Sequence, residues 1–108
     1  MLFGKPLKTM SAREVKTGIE EDQILLVDVR EKHENDAACI DCAKLMPLSE
    51  FDPKKLPNPE GKTIVLHCQG GVRSAQALKK CVDAGIDNIA HMGGGMMAWM
   101  QEGYPTKK

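Results

Sequence analysis

Two apolar runs punctuate the chain, at residues 24–29 (Ile24-Leu25-Leu26-Val27-Asp28-Val29) and 63–67 (Thr63-Ile64-Val65-Leu66-His67). Both are nearly continuous rather than alternating, the pattern of parallel strands buried on two sides. The second run stops at Cys68, passes through Gly70 and Gly71, and resumes as Ala75, Leu78, Cys81 and Val82 at helical spacing. That reads as strand, tight loop and a helix over about residues 74–84, closed by the C-terminal glycine signal of Ala84-Gly85. Cys81, three residues from Leu78, falls on the core face of that helix. Upstream, Ser11 and Glu14 form a Ser-x-x-Glu capping box, so a short helix starts near Ser11, with Val15 and Ile19 as its apolar face and Gly18 near its end. Residues 31–36 form a charged surface turn. Leu48-Ser49-Glu50-Phe51 opens a short helix with Ser49 as cap, and the proline-rich, charged residues 52–61 form a surface connection. Residues 88–92 predict a last strand, followed by a helix in which Met96, Met97, Trp99 and Met100 are read as packing. Strands alternating with helices define an α/β protein.

Length and charge narrow the picture. With 108 residues the chain predicts a single domain over residues 1–108. Fifteen basic residues balance fifteen acidic ones, which argues against a nucleic-acid tail or an anionic membrane partner. No apolar run approaches the ~20 residues of a membrane span. Met1-Leu2-Phe3-Gly4-Lys5-Pro6 lacks the apolar core of a secretory signal, so cytoplasmic residence, with reduced thiols, is the expectation. The four cysteines, Cys39, Cys42, Cys68 and Cys81, are therefore read one by one and not as a disulfide framework. Seven methionines against four aromatic residues predict a core filled by flexible side chains.

The loop after the second run carries the chemistry. Cys68 stands at the carboxyl end of a strand, where open α/β sheets bind ligands. Glycines let successive backbone N–H groups turn inward as an anion-sized nest. The helix that follows adds unsatisfied N–H groups and the positive end of its dipole. A thiol at the rim of this cup is expected to have a lowered pKa, with its thiolate stabilised by those donors and by Arg73. Asp28 is the one carboxylate inside an apolar strand and needs donors. Arg30, two residues on, points to the same side and supplies them.

Cys68-Gln69-Gly70-Gly71-Val72-Arg73-Ser74 resembles the active-site loop of the rhodanese (thiosulfate sulfurtransferase) family. Val27-Asp28-Val29-Arg30-Glu31 with Glu34 resembles that family's first signature. Gly94-Gly95-Met96-Met97-Ala98-Trp99 and Gly103-Tyr104-Pro105 resemble its C-terminal one. The three stretches occur in family order and cover nearly the whole chain. The resemblance implies a single rhodanese-like domain with a mostly parallel sheet of about five strands and helices on both faces. It implies that Cys68 is catalytic and carries the transferred sulfur as a covalent persulfide, with no other cofactor and no metal. Gln69, Gly70, Gly71, Val72, Arg73 and Ser74 would bind the substrate, and Asp28 and Arg30 would support the crevice. The implied partners are a small sulfur donor such as thiosulfate and a thiol, cyanide or sulfur-carrier protein as acceptor.

One segment departs from the family pattern. Where Gly-His-Ile-x-Gly-Ala is usual, this chain reads Ala38-Cys39-Ile40-Asp41-Cys42-Ala43. The resulting Cys-x-x-Cys is either a bland substitution, a redox partner of Cys68, or half of a metal site that lacks a second ligand pair at zinc-ribbon spacing. In the redox reading, Cys39 or Cys42 discharges the Cys68 persulfide as a disulfide, which requires Cα atoms within ~7 Å. A phosphatase is the competing enzyme class, because dual-specificity phosphatases share this fold and use a cysteine–arginine anion cup. They place five residues between cysteine and arginine, whereas Cys68 and Arg73 enclose four, and the smaller ring favours sulfur. A non-catalytic interaction module is the third class, disfavoured by the intact cysteine loop. His33, in the charged turn, is read as solvated, because an already ionised thiolate needs no base.

Overall fold

A computed structural model describes residues 7–108; the amino-terminal stretch read for a secretory signal lies outside the described residues. Five parallel strands form one sheet: β1 (Thr9–Met10), β2 (Ile24–Asp28), β3 (Lys44–Leu45), β4 (Thr63–His67) and β5 (Ile89–Met92), in the spatial order β1-β5-β4-β2-β3. Helices α1 (Ala12–Glu20), α2 (Lys32–Ala37), α3 (Val72–Asp83) and α4 (Gly95–Gln101) complete the chain.

The continuous apolar character of β2 and β4 follows from their position, since β4 is central and each is flanked by strands on both sides. Side-chain alternation then feeds two cores. Val27, Ile64, Leu66 and Ile89 point to one face and pack with Ala77, Leu78 and Cys81 of α3 and with Phe51. Leu26, Val65 and Met92 point to the other and pack with Ala12 and Val15 of α1 and with Met96 and Trp99 of α4. The α/β class, the five parallel strands and helices on both faces are as the sequence predicts.

The capping box at Ser11 forms in both directions: Glu14 N donates to Ser11 Oγ at 3.0 Å and Ser11 N donates to Glu14 Oε1 at 2.9 Å. Gly18 lies inside α1 because a Cβ there would overlap the Ile24 side chain. Three local readings need correction. Ser49 caps nothing; the short 3-10 turn at Leu48–Glu50 starts after Pro47, and Ser49 Oγ donates to Glu31 at 2.7 Å. Helix α3 begins at Val72, two residues earlier than expected, with Gly71 as its N-cap. In α4 only Met96 and Trp99 are core, whereas Met97 and Met100 are about half exposed at 54% and 53%, since a seven-residue helix can turn only one stripe inward.

The chain returns from β3 to the sheet centre at β4 and then runs the opposite way to β5. The carboxyl ends of β2 and β4 therefore flank a topological switch point, where open sheets form a crevice. Asp28 and Cys68 meet there.

Candidate active site

Cys68 follows the last residue of β4, and the chain turns through Gln69 and Gly70 to Gly71, whose φ of +109° is open to glycine and hostile to L side chains. This turn aims backbone donors at the sulfur. Gly71 N donates to Cys68 Sγ at 3.1 Å and Ser74 N does so at 3.3 Å, while the Ser74 hydroxyl oxygen is 3.5 Å away. Burial works to raise the Cys68 pKa, but the Ser74 hydroxyl and the amides of Ser74, Gly71 and Gly70 outweigh it and lower the thiol below its ordinary value. At 1% exposure the residue lies on the floor of the cup and not at its rim.

The underside of the loop is clamped by α4. Met96 N donates to Cys68 O at 2.8 Å and Met97 N to Gln69 O at 3.0 Å. Such close approach requires Gly95 (φ +55°), because a Cβ there would overlap the Cys68 carbonyl and stand 2.7 Å from the Gln69 backbone. The glycine turn at the start of α4 thus supports the Cys68 loop from beneath. His67 Nδ1 also lies 3.3 Å from Cys68 O, while its Nε2 is buried without a hydrogen-bond partner, 3.9 Å from Asp28 Oδ1. Burial pushes the His67 pKa down, against the pull of Asp28.

Asp28 and Arg30 form the buried pair expected of them. Arg30 Nη2 and Nε donate to Asp28 Oδ2 at 2.9 and 3.2 Å, Nε also reaches Oδ1 at 3.1 Å, and Arg30 N donates to Oδ1 at 2.9 Å. Asn35 Nδ2 adds a bond at 3.0 Å. Burial works to raise the Asp28 carboxyl, yet these donors, with His67, hold it below the usual range. The guanidinium also spans outward, to Ala38 O at 2.7 Å and to Gln69 Oε1 at 3.4 Å. Arg30 therefore ties the first signature to the Cys68 loop and to the Cys39 segment.

Arg73 interacts with the Cys68 charge through space and makes its direct bonds elsewhere. Its Nη1 and Nη2 donate to Glu34 Oε1 and Oε2 at 2.7 and 2.8 Å, a bidentate pair. Arg73 holds the Glu34 carboxyl down to about 2, so the pair stays ionised at neutral pH. The hydrogen bonds to the thiol come from amides and from Ser74. Val72, 72% exposed, forms the outer lip of the loop.

Cys39 and Cys42 occupy other surroundings. Cys39 is buried and bridges Lys107 through backbone bonds of 2.7 and 2.8 Å. Cys42 is exposed and lines a groove of about 480 Å³ with Lys16, Ile40, Trp99 and Lys107, and no residue of the Cys68 loop shares that lining. Desolvation of its sulfur, and then Asp41, push the Cys42 thiol up. Among the described residues, no group of three or more His, Cys, Asp or Glu side chains is placed to hold a metal. Cys81 is buried in the α3 core, its thiol pushed up to about 11 by burial. His33 is exposed in α2.

Two residues of the site were missed in the sequence. Glu34, noted only as part of a signature, is the partner of Arg73. His91, read only as part of a strand, has Nδ1 2.8 Å from Ser74 Oγ and Nε2 3.2 Å from Thr9 Oγ1. Its sole sequence signal is a polar residue in an otherwise apolar strand.

A parallel sheet with a cysteine loop at its switch point narrows the family, and comparison with known proteins identifies it. The family model for the Rhodanese-like domain matches residues 11–102, and the chain belongs to the rhodanese-like family. A relative in Synechocystis, the uncharacterized protein slr1261, is 46% identical over 89 residues, 82% of this chain and 50% of that protein. The probable adenylyltransferase/sulfurtransferase MoeZ of Mycobacterium tuberculosis is 36% identical over 100 residues, 90% of this chain and 26% of MoeZ. The chain thus spans half or less of the length of these two relatives. A crystal structure of a rhodanese-like domain protein from Staphylococcus aureus superposes with a TM-score of 0.78 at 33% identity, covering 94% of this chain and all of that one. Among the described residues, no helix is long and apolar enough to cross a membrane.

Proposed function

We propose that this domain is a sulfurtransferase that moves a sulfane sulfur from an anionic donor, thiosulfate or a persulfide, through a persulfide on Cys68. The observation that carries the reading is a thiol of lowered pKa at the N-terminus of α3, bonded by Gly71 N, Ser74 N and Ser74 Oγ. The sulfurtransferase named among its relatives supports the same class.

In the first half-reaction the Cys68 thiolate attacks the outer sulfur of thiosulfate. The sulfur–sulfur bond of the donor breaks, sulfite leaves with the bonding pair, and the outer sulfur remains on Cys68 as an anionic persulfide. In the second, a thiol or cyanide attacks that sulfur and the thiolate returns, giving ping-pong kinetics. The amides of Val72 and Arg73 lie in the first turn of α3, which leaves them without intrahelical acceptors. They and Gly70 N are the donors for the outer sulfur, each worth ~3 kcal/mol when aimed at developing charge. The bidentate Arg73–Glu34 pair puts a fixed cation beside the loop while cancelling most of its long-range field, so donor binding rests on the amides.

A phosphatase would need a wider ring of donors for a tetrahedral phosphate than four residues between Cys68 and Arg73 provide, and Cys68 at 1% exposure suits an end-on sulfur atom. Turnover decides between the classes. The domain is expected to form thiocyanate from thiosulfate and cyanide and to leave p-nitrophenyl phosphate intact. Phosphate release without thiocyanate would overturn the reading. Residence in the cytoplasm and a small-thiol or carrier-protein acceptor belong to the same proposal.

A further inference from the structure

A chain of hydrogen-bonding groups runs from the catalytic sulfur to the edge of the sheet. Cys68 Sγ lies 3.5 Å from Ser74 Oγ, Ser74 Oγ lies 2.8 Å from His91 Nδ1, and His91 Nε2 lies 3.2 Å from Thr9 Oγ1. Cys68, Ser74 and His91 are all buried, and Thr9 opens to solvent. Register explains the alignment, because Thr9 of β1 pairs with His91 of β5 and both project toward α3.

We propose that His91 is a positioning residue that acts on Cys68 through the Ser74 hydroxyl. A thiolate can only accept, so Ser74 must donate to it. The Ser74 oxygen then accepts from His91 Nδ1–H, and Nε2 accepts from the Thr9 hydroxyl. Ser74 has a competing acceptor, the Gly71 carbonyl at 3.2 Å. Donation from His91 fills one lone pair of Ser74 Oγ, limits the rotation of its hydroxyl, and polarises the O–H toward the sulfur. Without the imidazole, the hydroxyl turns to Gly71 and the thiolate loses a donor. The same chain serves a persulfide, whose inner sulfur occupies the Cys68 Sγ position.

The imidazole is suited to this as a neutral group, and burial pushes its pKa down. Among the described residues, few groups face it. Thr9 faces it from β1, and α3 presents Ser74, Ala77, Leu78 and Cys81, of which only Cys81 titrates. The pairing residue on β4 is the apolar Leu66. Arg73 is committed to Glu34, and exposed Lys8 meets His91 only through its carbonyl. Cys68 is thus the group whose ionisation the chain reads.

The inference rests on Cys68 as the reacting thiol, and its test reads the thiolate itself, independently of sulfur transfer. The rate of Cys68 alkylation by iodoacetamide is followed from pH 5 to pH 10, with label mapped to the Cys68 peptide. His91→Phe keeps the ring and removes both nitrogens; it is expected to raise the midpoint of the profile and slow alkylation at pH 7 by about three- to tenfold, the scale of one hydrogen bond. His91→Asn places an amide nitrogen near the Nδ1 position and is expected to recover most of that loss. Ser74→Ala should produce a similar shift, and adding His91→Phe to it should produce none beyond it. Equal effects of His91→Phe with and without Ser74 would overturn the proposal, as would an unshifted profile in a His91→Phe variant that retains the wild-type circular dichroism spectrum.

Discussion

Replacing Cys68 with serine is expected to reduce thiocyanate formation to below about one per cent of wild type, since removal of a covalent nucleophile costs several orders of magnitude. Serine fits the site: the oxygen is smaller than sulfur, and the amides of Gly71 and Ser74 remain to bond it. What is lost is ionisation. The loop lowers a thiol below its ordinary value, whereas the same donors leave a hydroxyl un-ionised at any pH the protein tolerates. Circular dichroism and thermal midpoint should match wild type. Activity above a few per cent would move the nucleophile elsewhere, to Cys39 or Cys42.

The largest effect on stability is expected from Arg30→Met. Arg30 is 3% exposed and Asp28 is fully buried, so the variant strands a carboxylate with only Asn35 Nδ2 and the residue-30 amide as donors. Breaking one side of a buried pair costs about 3–5 kcal/mol, which for a domain of this size lowers Tm by roughly 10–20 °C. Neutralising both partners, as Asp28→Asn with Arg30→Met, should recover part of the loss, because the buried charge is gone. Gln69 also loses its Arg30 contact, so both variants should transfer sulfur more slowly at temperatures where they remain folded. Thermal unfolding followed by circular dichroism is the check. A single variant within about 1 kcal/mol of wild type would show that water or a rearranged neighbour solvates Asp28.

The legibility of this chain follows the range of its interactions. Local signals survived intact: the Ser11 capping box, the two-sided apolar runs of β2 and β4, and the glycine-punctuated loop after Cys68 all depend on residues a few positions apart. The Asp28–Arg30 pair was readable for the same reason, two residues along one strand. Strand β1 was not, because two residues carry no periodicity, and Thr9–Met10 becomes a strand only by pairing with His91 and Met92. Glu34 with Arg73 and His91 with Ser74 are separated by 39 and 17 residues, and nothing local announces either pair. The role of Gly95 was hidden likewise, since its constraint is the backbone of Cys68 and not its own turn.

Long range also bears on the Cys-x-x-Cys segment. Cys39 is engaged with Lys107 through its backbone, and Cys42 faces a separate groove with its thiol pushed up. A thiol that resists ionisation is a poor attacker on a persulfide. The groove side of this segment is packed by Trp99, which lies edge-on to Tyr104 at 5.1 Å and donates to Pro105 O at 2.9 Å, so the C-terminal signature supports the Cys42 groove as well as α4.

The measurement that tests the central claim most directly is intact mass after the reduced wild-type domain is incubated with thiosulfate and freed of excess donor. The account predicts a gain of one sulfur atom per chain, located by peptide mapping on Cys68, lost on addition of cyanide, and absent from Cys68→Ser. No gain under conditions where thiocyanate forms, or a gain mapped to Cys39, Cys42 or Cys81, would contradict it.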